Sequence, residues 1–286
     1  MFMRVVLSGA MLLVAMSAVA GEPSMEFVGA SSTDLDNPHD LKLSPDGRQL
    51  FVSDTGNNRV VILDPETLQQ LDEFGADHQS GTHDVDFDLS GRVYVADTHK
   101  ARVTIYEMKG LAATLVDELK GPLEGPEGVL VHPNGRIYVA GAWSGNVVAF
   151  VDGKPVKELK GLSAPHDLEN TANGDIWLSD SGNDRLLLLS PDLDIKRELK
   201  GSPYNFNGVR YMDVMADGTL IVGDKDNDQI KIISSDGKLL KVVGSGQGGR
   251  GPGEFRTPEG VEIRGETVWL SDSGNDRVVK YKFSTE

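Results

Sequence analysis

Short runs of alternating apolar and polar residues fill the chain from about residue 24 onward, and the 3.6-residue periodicity of a helix is absent. In "LKLSPDGRQLFVSDTGNNRVVILDPETLQQLDEFG" (41–75) an alternating segment leads to a "PDG" turn and a β-rich run, "QLFVSD". A polar loop, a second run "RVVILD" and a last alternating strand complete the unit. The same order returns in "LENTANGDIWLSDSGNDRLLLLSPDLDIKRELKG" (168–201) and "VEIRGETVWLSDSGNDRVVKYKF" (261–283), with weaker copies from 85, 129 and 214. Six units of roughly 40 residues, each of four short strands, predict an all-β, six-bladed β-propeller. The sixth unit runs out at Glu286 after three strands, and "SMEFVGA" (24–30) resembles the fourth strands of other units. An N-terminal strand is therefore expected to close the last blade, making 21–286 a single propeller domain.

The first twenty residues follow a different pattern. Arg4 precedes the apolar run Val5 to Met16, and Ala18-Val19-Ala20 offers the small residues of a cleavage site. Residues 1–20 are expected to be a signal peptide cut before Gly21, sending the mature chain to the periplasm or outside the cell without membrane insertion. The sequence contains no cysteine, so an exported chain has no disulfides and no thiolate ligands. Asp and Glu total 44 against 28 Lys and Arg, a net charge of −16. That balance disfavours nucleic acid and fits a small molecule or peptide at a channel mouth, or a protein partner.

Repeated features read as scaffold. The pairs Asp54/Arg59, Asp97/Arg102, Asp180/Arg185 and Asp272/Arg277 recur, and unit three loses both charges together at Gly141 and Asn146. Joint loss is what a structural ion pair predicts. The run "DKDND" (224–228) has calcium-like spacing but lacks the glycine and glutamate that complete such a loop, so it too reads as scaffold.

The strand starts vary and are more informative: Pro38-His39-Asp40, Thr82-His83-Asp84, Pro126-Glu127-Gly128, Pro165-His166-Asp167, Phe206-Asn207-Gly208 and Pro258-Glu259-Gly260. Counting back from its "ADG" turn, unit five instead places Arg210 at this position. First strands line a propeller's channel, so these residues are expected to form a ring near one mouth, with His99 and Trp143 opening on the same face as ligand contacts. Imidazole and carboxylate together suit a divalent metal. Alternate blades converge best, giving His83, His166 and Glu259 as one set and His39, Glu127 and Asn207 as the other. In contrast, strand parity places His39 on the side of Leu41 and Leu43, where it would only cap packing between blades while Asp40 accepts backbone hydrogen bonds.

The stretch "GSGQGGRGPGEFRTPEGVEIRGETVWLSDSGNDRV" (244–278) resembles NHL repeats, and the resemblance extends over 25–286. The "PHD" strand starts further resemble those of peptidyl-α-hydroxyglycine α-amidating lyases. That resemblance implies zinc at His83 and His166, a structural calcium at Asp40 or Asp167, and Arg210 as the arginine near the metal. The family's third histidine is Glu259 here, and its tyrosine has no counterpart in the equivalent loops. Three functions follow: a metal-dependent lyase or hydrolase with Glu127 as base, a noncatalytic binding propeller, or a calcium-dependent lactonase using Glu127, Asn207 and Glu259.

Overall fold

Residues 21–285 are described by the structure, a computed structural model; the expected signal peptide lies outside the described residues. Six four-stranded antiparallel sheets follow one another along the chain. Five are built from consecutive strands. In the sixth, Pro23–Ala30 pairs antiparallel with Arg277–Thr285, so the outer strand comes from the start of the described chain. Among the described residues no helix is long and apolar enough to cross a membrane.

Burial follows the order of strands within each blade. The second and third strands, such as Leu50–Asp54 and Arg59–Leu63, are almost wholly buried, whereas the fourth, Gln70–Phe74, is largely exposed. Inner strands therefore read as continuous apolar runs and outer ones as mixed. Apolar clusters straddle neighbouring blades: Phe51 of blade one meets Phe87 of blade two with ring centroids 4.9 Å apart. Each interface between blades is thus a strip of the core.

The recurrent charges form the frame. Asp54, Asp97, Asp180 and Asp272 accept from the Nε of Arg59, Arg102, Arg185 and Arg277 at 2.7, 2.8, 2.6 and 2.7 Å. Their other oxygens accept the backbone N–H of Asp36, Ser80, Ser163 and Arg256, which lead into the first strands. Blade five keeps Asp224 but draws its cation from Lys231, two residues past Gln229. Blade three replaces the pair by Asn146, which donates to Glu158 and to Pro122 O. In "DKDND", Asp224 is the scaffold acid and Asp228 Oδ1 accepts from Thr257 N of the next blade. That loop acts as a joint between blades.

The inner strands carry a shared distortion. Register slips between Pro38 and Leu41, between Thr82 and Val85, and at the equivalent point of the other blades. A bulge of this kind puts two successive side chains on one side of a strand. The parity expectation for His39 therefore fails, because His39 and Asp40 both face inward, away from Leu41.

Candidate functional site

Six inner strands bring His39, His83, Glu127, His166, Arg210 and Glu259 to one mouth of the channel. Of the two alignments open for unit five, the structure takes the one that counts back from the "ADG" turn. Val209 pairs with Asp224 as Pro38 pairs with Asp54, which puts Arg210, and not Asn207, in the ring. The source of the misalignment is Gly208. It is the left-handed residue (φ 65°) that precedes the strand, the counterpart of Asn37, Gly81, Gly125, Ala164 and Thr257, and not of Gly128 or Gly260. Asn207 instead donates its N–H to Asp224 Oδ1 before the strand begins. The set Glu127, Asn207 and Glu259 is not assembled.

Two groups form within the ring. In the first, Nδ1 of His83 lies 3.0 Å from Gly81 O and Nδ1 of His166 lies 2.8 Å from Ala164 O. A carbonyl only accepts, so each Nδ1 carries its proton and each Nε2 faces the channel. Thr98 supports His83, its Oγ1 2.7 Å from Nδ1 while donating to Pro126 O. Glu127 lies between the two rings, with Oε1 3.9 Å from His83 Nε2 and Oε2 in contact with His166 Nε2. The Arg210 guanidinium also lies against His166 Nε2.

The second group is His39, Glu259 and Lys225. His39 Nδ1 is 3.3 Å from Glu259 Oε2, and Lys225 Nζ is 3.2 Å from Oε1. The His39 and His83 rings meet edge to face, centroids 4.4 Å apart, and join the groups. The expected set His83, His166 and Glu259 is therefore divided, with Glu127 serving both histidines and Glu259 turned to His39.

Burial shapes the charge states. It lowers His39 to about 3 against the pull of Glu259, and lowers His83 below the ordinary imidazole value against Glu127. Burial alone would raise both ring carboxyls. For Glu127 the contact with His166 and the fields of His83 and Arg210 prevail and hold it at about 2. Glu259 is held equally low by His39, Lys225 and Arg210. At neutral pH the mouth presents neutral His39 and His83, two carboxylates, and the cations Arg210 and Lys225.

Below the ring lies a carboxylate layer. Asp84 and Asp86 accept the N–H groups of Val129 and Val131, Asp167 that of Met212, and Asp213 that of Ile263. The inner edge of a blade has no strand beyond it, and in blades three, five and six carboxylates of the preceding blade satisfy its amides. Asp40 and Asp167, expected as calcium ligands, belong to this layer, with Asp40 against Asp84. Lys42 enters it from blade one, paired with Glu169 and 3.8 Å from Glu262.

Three contributors escaped the sequence reading. Tyr211 is fully buried and donates to Glu127 O at 3.0 Å, fixing the strand that carries Glu127. Lys225 stands where units one, two, four and six have Thr or Ser, and that break in the repeat was its signal. Lys42 had none, since a lone lysine in an inner strand looks like any surface residue. Above the ring, His99 and Trp143 stack at 5.6 Å and 26°, with Trp143 59% exposed. Gly125 (φ 60°) lies beneath the indole, where a Cβ would come within 2.5 Å of it.

Donor chemistry at His83, His166 and Glu127 suits the expected zinc, and the Nδ1 anchoring is of the kind that orients metal-binding imidazoles. The spacing does not fit. Among the described residues no three His, Cys, Asp or Glu side chains stand where they would hold one ion, and Arg210 lies where an ion would approach His166.

Sheet order and ring together define the class: the chain is a six-bladed β-propeller. The NHL repeat family model matches residues 35–63, and the strictosidine synthase-like N-terminal model matches 111–150. No curated protein matches the sequence. Among solved structures it is similar to virginiamycin B lyase from Staphylococcus aureus, at 15% identity, TM-score 0.66, over 91% of this chain and 99% of that one. A catalytically inactive histidine-to-alanine variant of that lyase, with quinupristin, matches at 14% and 0.65, over 91% and 99%. A protein of unknown function from Bacteroides thetaiotaomicron matches at 15% and 0.75, over 92% and 77%. At these identities the likeness is one of fold.

Proposed function

We propose that the ring is the active site of a lyase that removes a proton next to a carbonyl of a small molecule or short peptide, in a chain exported to the periplasm or beyond. The observation carrying this reading is the convergence of two Nδ1-anchored histidines on Glu127 with Arg210 beside them. His83, kept neutral by burial, takes the proton on Nε2. Arg210 stabilises the enolate as charge develops on the carbonyl oxygen. The proton held on His83 Nε2, its charge stabilised by Glu127, then passes to the leaving group. Lyases among the structural relatives agree with an elimination, while the substrates of those proteins remain their own. No step here runs through a metal.

The test is a panel of cyclic depsipeptides, α-hydroxyglycine amides and lactones, followed by mass spectrometry. Elimination gives an unsaturated product without the gain of water that hydrolysis brings. His83→Ala and Glu127→Gln are expected to lose about 100-fold or more in kcat/KM with melting temperature unchanged. Turnover unaffected by both variants removes the ring from the reaction. Added zinc or calcium and a chelator form a separate arm, because a mobile Arg210 would free the His83, Glu127 and His166 donors. A second reading, noncatalytic binding, rests on the exposed Trp143 stacked on His99. It predicts saturable quenching of indole fluorescence by ligands that are never turned over.

A further inference from the structure

A cavity of about 580 Å³ opens between blades two and three, lined by the turn at the end of blade two's inner strand and so on the face opposite the ring. Its origin lies in one short turn. In blade four the connection between third and fourth strands, Ser190–Asp194, drops Leu193 into the core shared with blade three, and Pro191 O accepts from Tyr138 there. In blade one the same connection supplies buried Leu68, and Pro65 O accepts from Trp269 of blade six. Blade three has only the two-residue turn Asp152-Gly153, both residues left-handed, with Val151 already paired to Lys154. It brings neither a leucine nor a carbonyl. Tyr94, the counterpart of Tyr138 and Trp269, turns back to its own blade and donates to Asp88 at 3.3 Å.

The wall thus left open is apolar, with Ile105, Leu119, Val131 and Ile137, and fully exposed Leu89 forms a lip. Its uncompensated charge is negative. Arg92 is bound by Asp88, and Glu118 by Arg102 and Lys120. His132 accepts from Asn134 N at Nδ1 and donates from Nε2 to Gly174 O, so it carries one proton and no charge. Asp117 and Asp152 line the cavity and join no ion pair among the described residues.

From this shape and charge we infer that the cleft between blades two and three is a second binding site, for a small organic ammonium with an apolar body. Its volume lies in the range of small-molecule sites, about 300–1,000 Å³, and its depth follows from the missing plug. The ammonium meets Asp117 and Asp152 at the rim while the body covers the apolar wall.

The test uses 4-phenylbutylammonium as probe, with 4-phenylbutanol and 4-phenylbutanoate as matched neutral and anionic controls, in calorimetric titrations of the mature chain. The ammonium is expected to bind saturably and more tightly than the alcohol, and the carboxylate not at all. Asp117→Asn with Asp152→Asn should weaken the ammonium about tenfold, to the level of the alcohol. Replacing Asp152-Gly153 by the Pro-Asp-Leu-Asp sequence of 191–194 should abolish binding of both; Val131→Trp fills the cleft by another route should the graft misfold. Glu127→Gln, in the ring, should leave the titration unchanged. No saturable binding below about 10 mM, equal binding of ammonium and carboxylate, or binding that survives a folded plug overturns the inference.

Discussion

His83 and His39 differ from surface histidines because burial lowers both below the ordinary imidazole value, His39 to about 3. For a base that must be unprotonated, the sign follows directly. Activity is lost only as pH falls through the lowered pKa of His83, so kcat/KM should stay level from pH 8 down past 6.5 and decline below it. A pH–rate profile whose acid limb lies above 7 would mean that His83 is not the base. Much of this site is legible in the sequence as residue types at strand starts. Three things are not. The bulge that turns both His39 and Asp40 inward, the left-handed role of Gly208 that brings Arg210 into line, and the pairing of Glu127 with both histidines depend on backbone geometry that alternation does not encode.

A blade's inner strand meets the next at very close range, and in the two Pro-Glu-Gly units this leaves no room for a side chain after the glutamate. A Cβ at Gly128 would lie 1.9 Å from His166 O, and one at Gly260 2.4 Å from His39 O. Glycine is required at these two positions, each beside a ring glutamate. Gly128→Ala is expected to cost about 2–4 kcal/mol in denaturant unfolding and to reduce activity by displacing His166. Gly29→Ala, with nothing within 4 Å, should cost less than about 0.5 kcal/mol. The Asp and Arg frame was legible because joint loss in unit three marked it as structural. Lys231 was not, since the cation of blade five comes from two residues further along the strand.

Across the whole molecule, the channel gathers carboxylates from most blades onto one lysine. Burial raises Asp86 and Asp213 to about 7, opposed by Lys42, and raises Asp40, Asp167 and Glu262 well above the ordinary range. These groups hold their protons more tightly folded than unfolded. Their contribution is complete below the unfolded carboxyl pKa near 4 and is lost as pH rises toward 7. His39 and Glu259, with lowered pKa values, act in the opposite sense below 6.5. Asp86→Asn, which keeps the acceptor for Val131 N, is therefore expected to gain about 1–3 kcal/mol relative to the wild type between pH 5 and pH 8, read by urea unfolding at each pH. An unchanged difference across that range would show that Asp86 is ionised throughout.

The sequence by itself determined the number of blades, their four-strand order and the residue types lining the mouth, because a period of two within a strand and about 40 between units is fixed by local geometry and burial. Only the tertiary structure decided which of those residues meet. His83, Glu127 and His166 lie on successive blades and are joined across the channel, far apart in the chain, by the radius of the closed ring. The cleft between blades two and three is likewise a matter of packing between blades. The turn Asp152-Gly153 reads as an ordinary hairpin in the sequence, and its consequence appears only against blade two, where a longer connection would place a leucine as blade four places Leu193 against blade three.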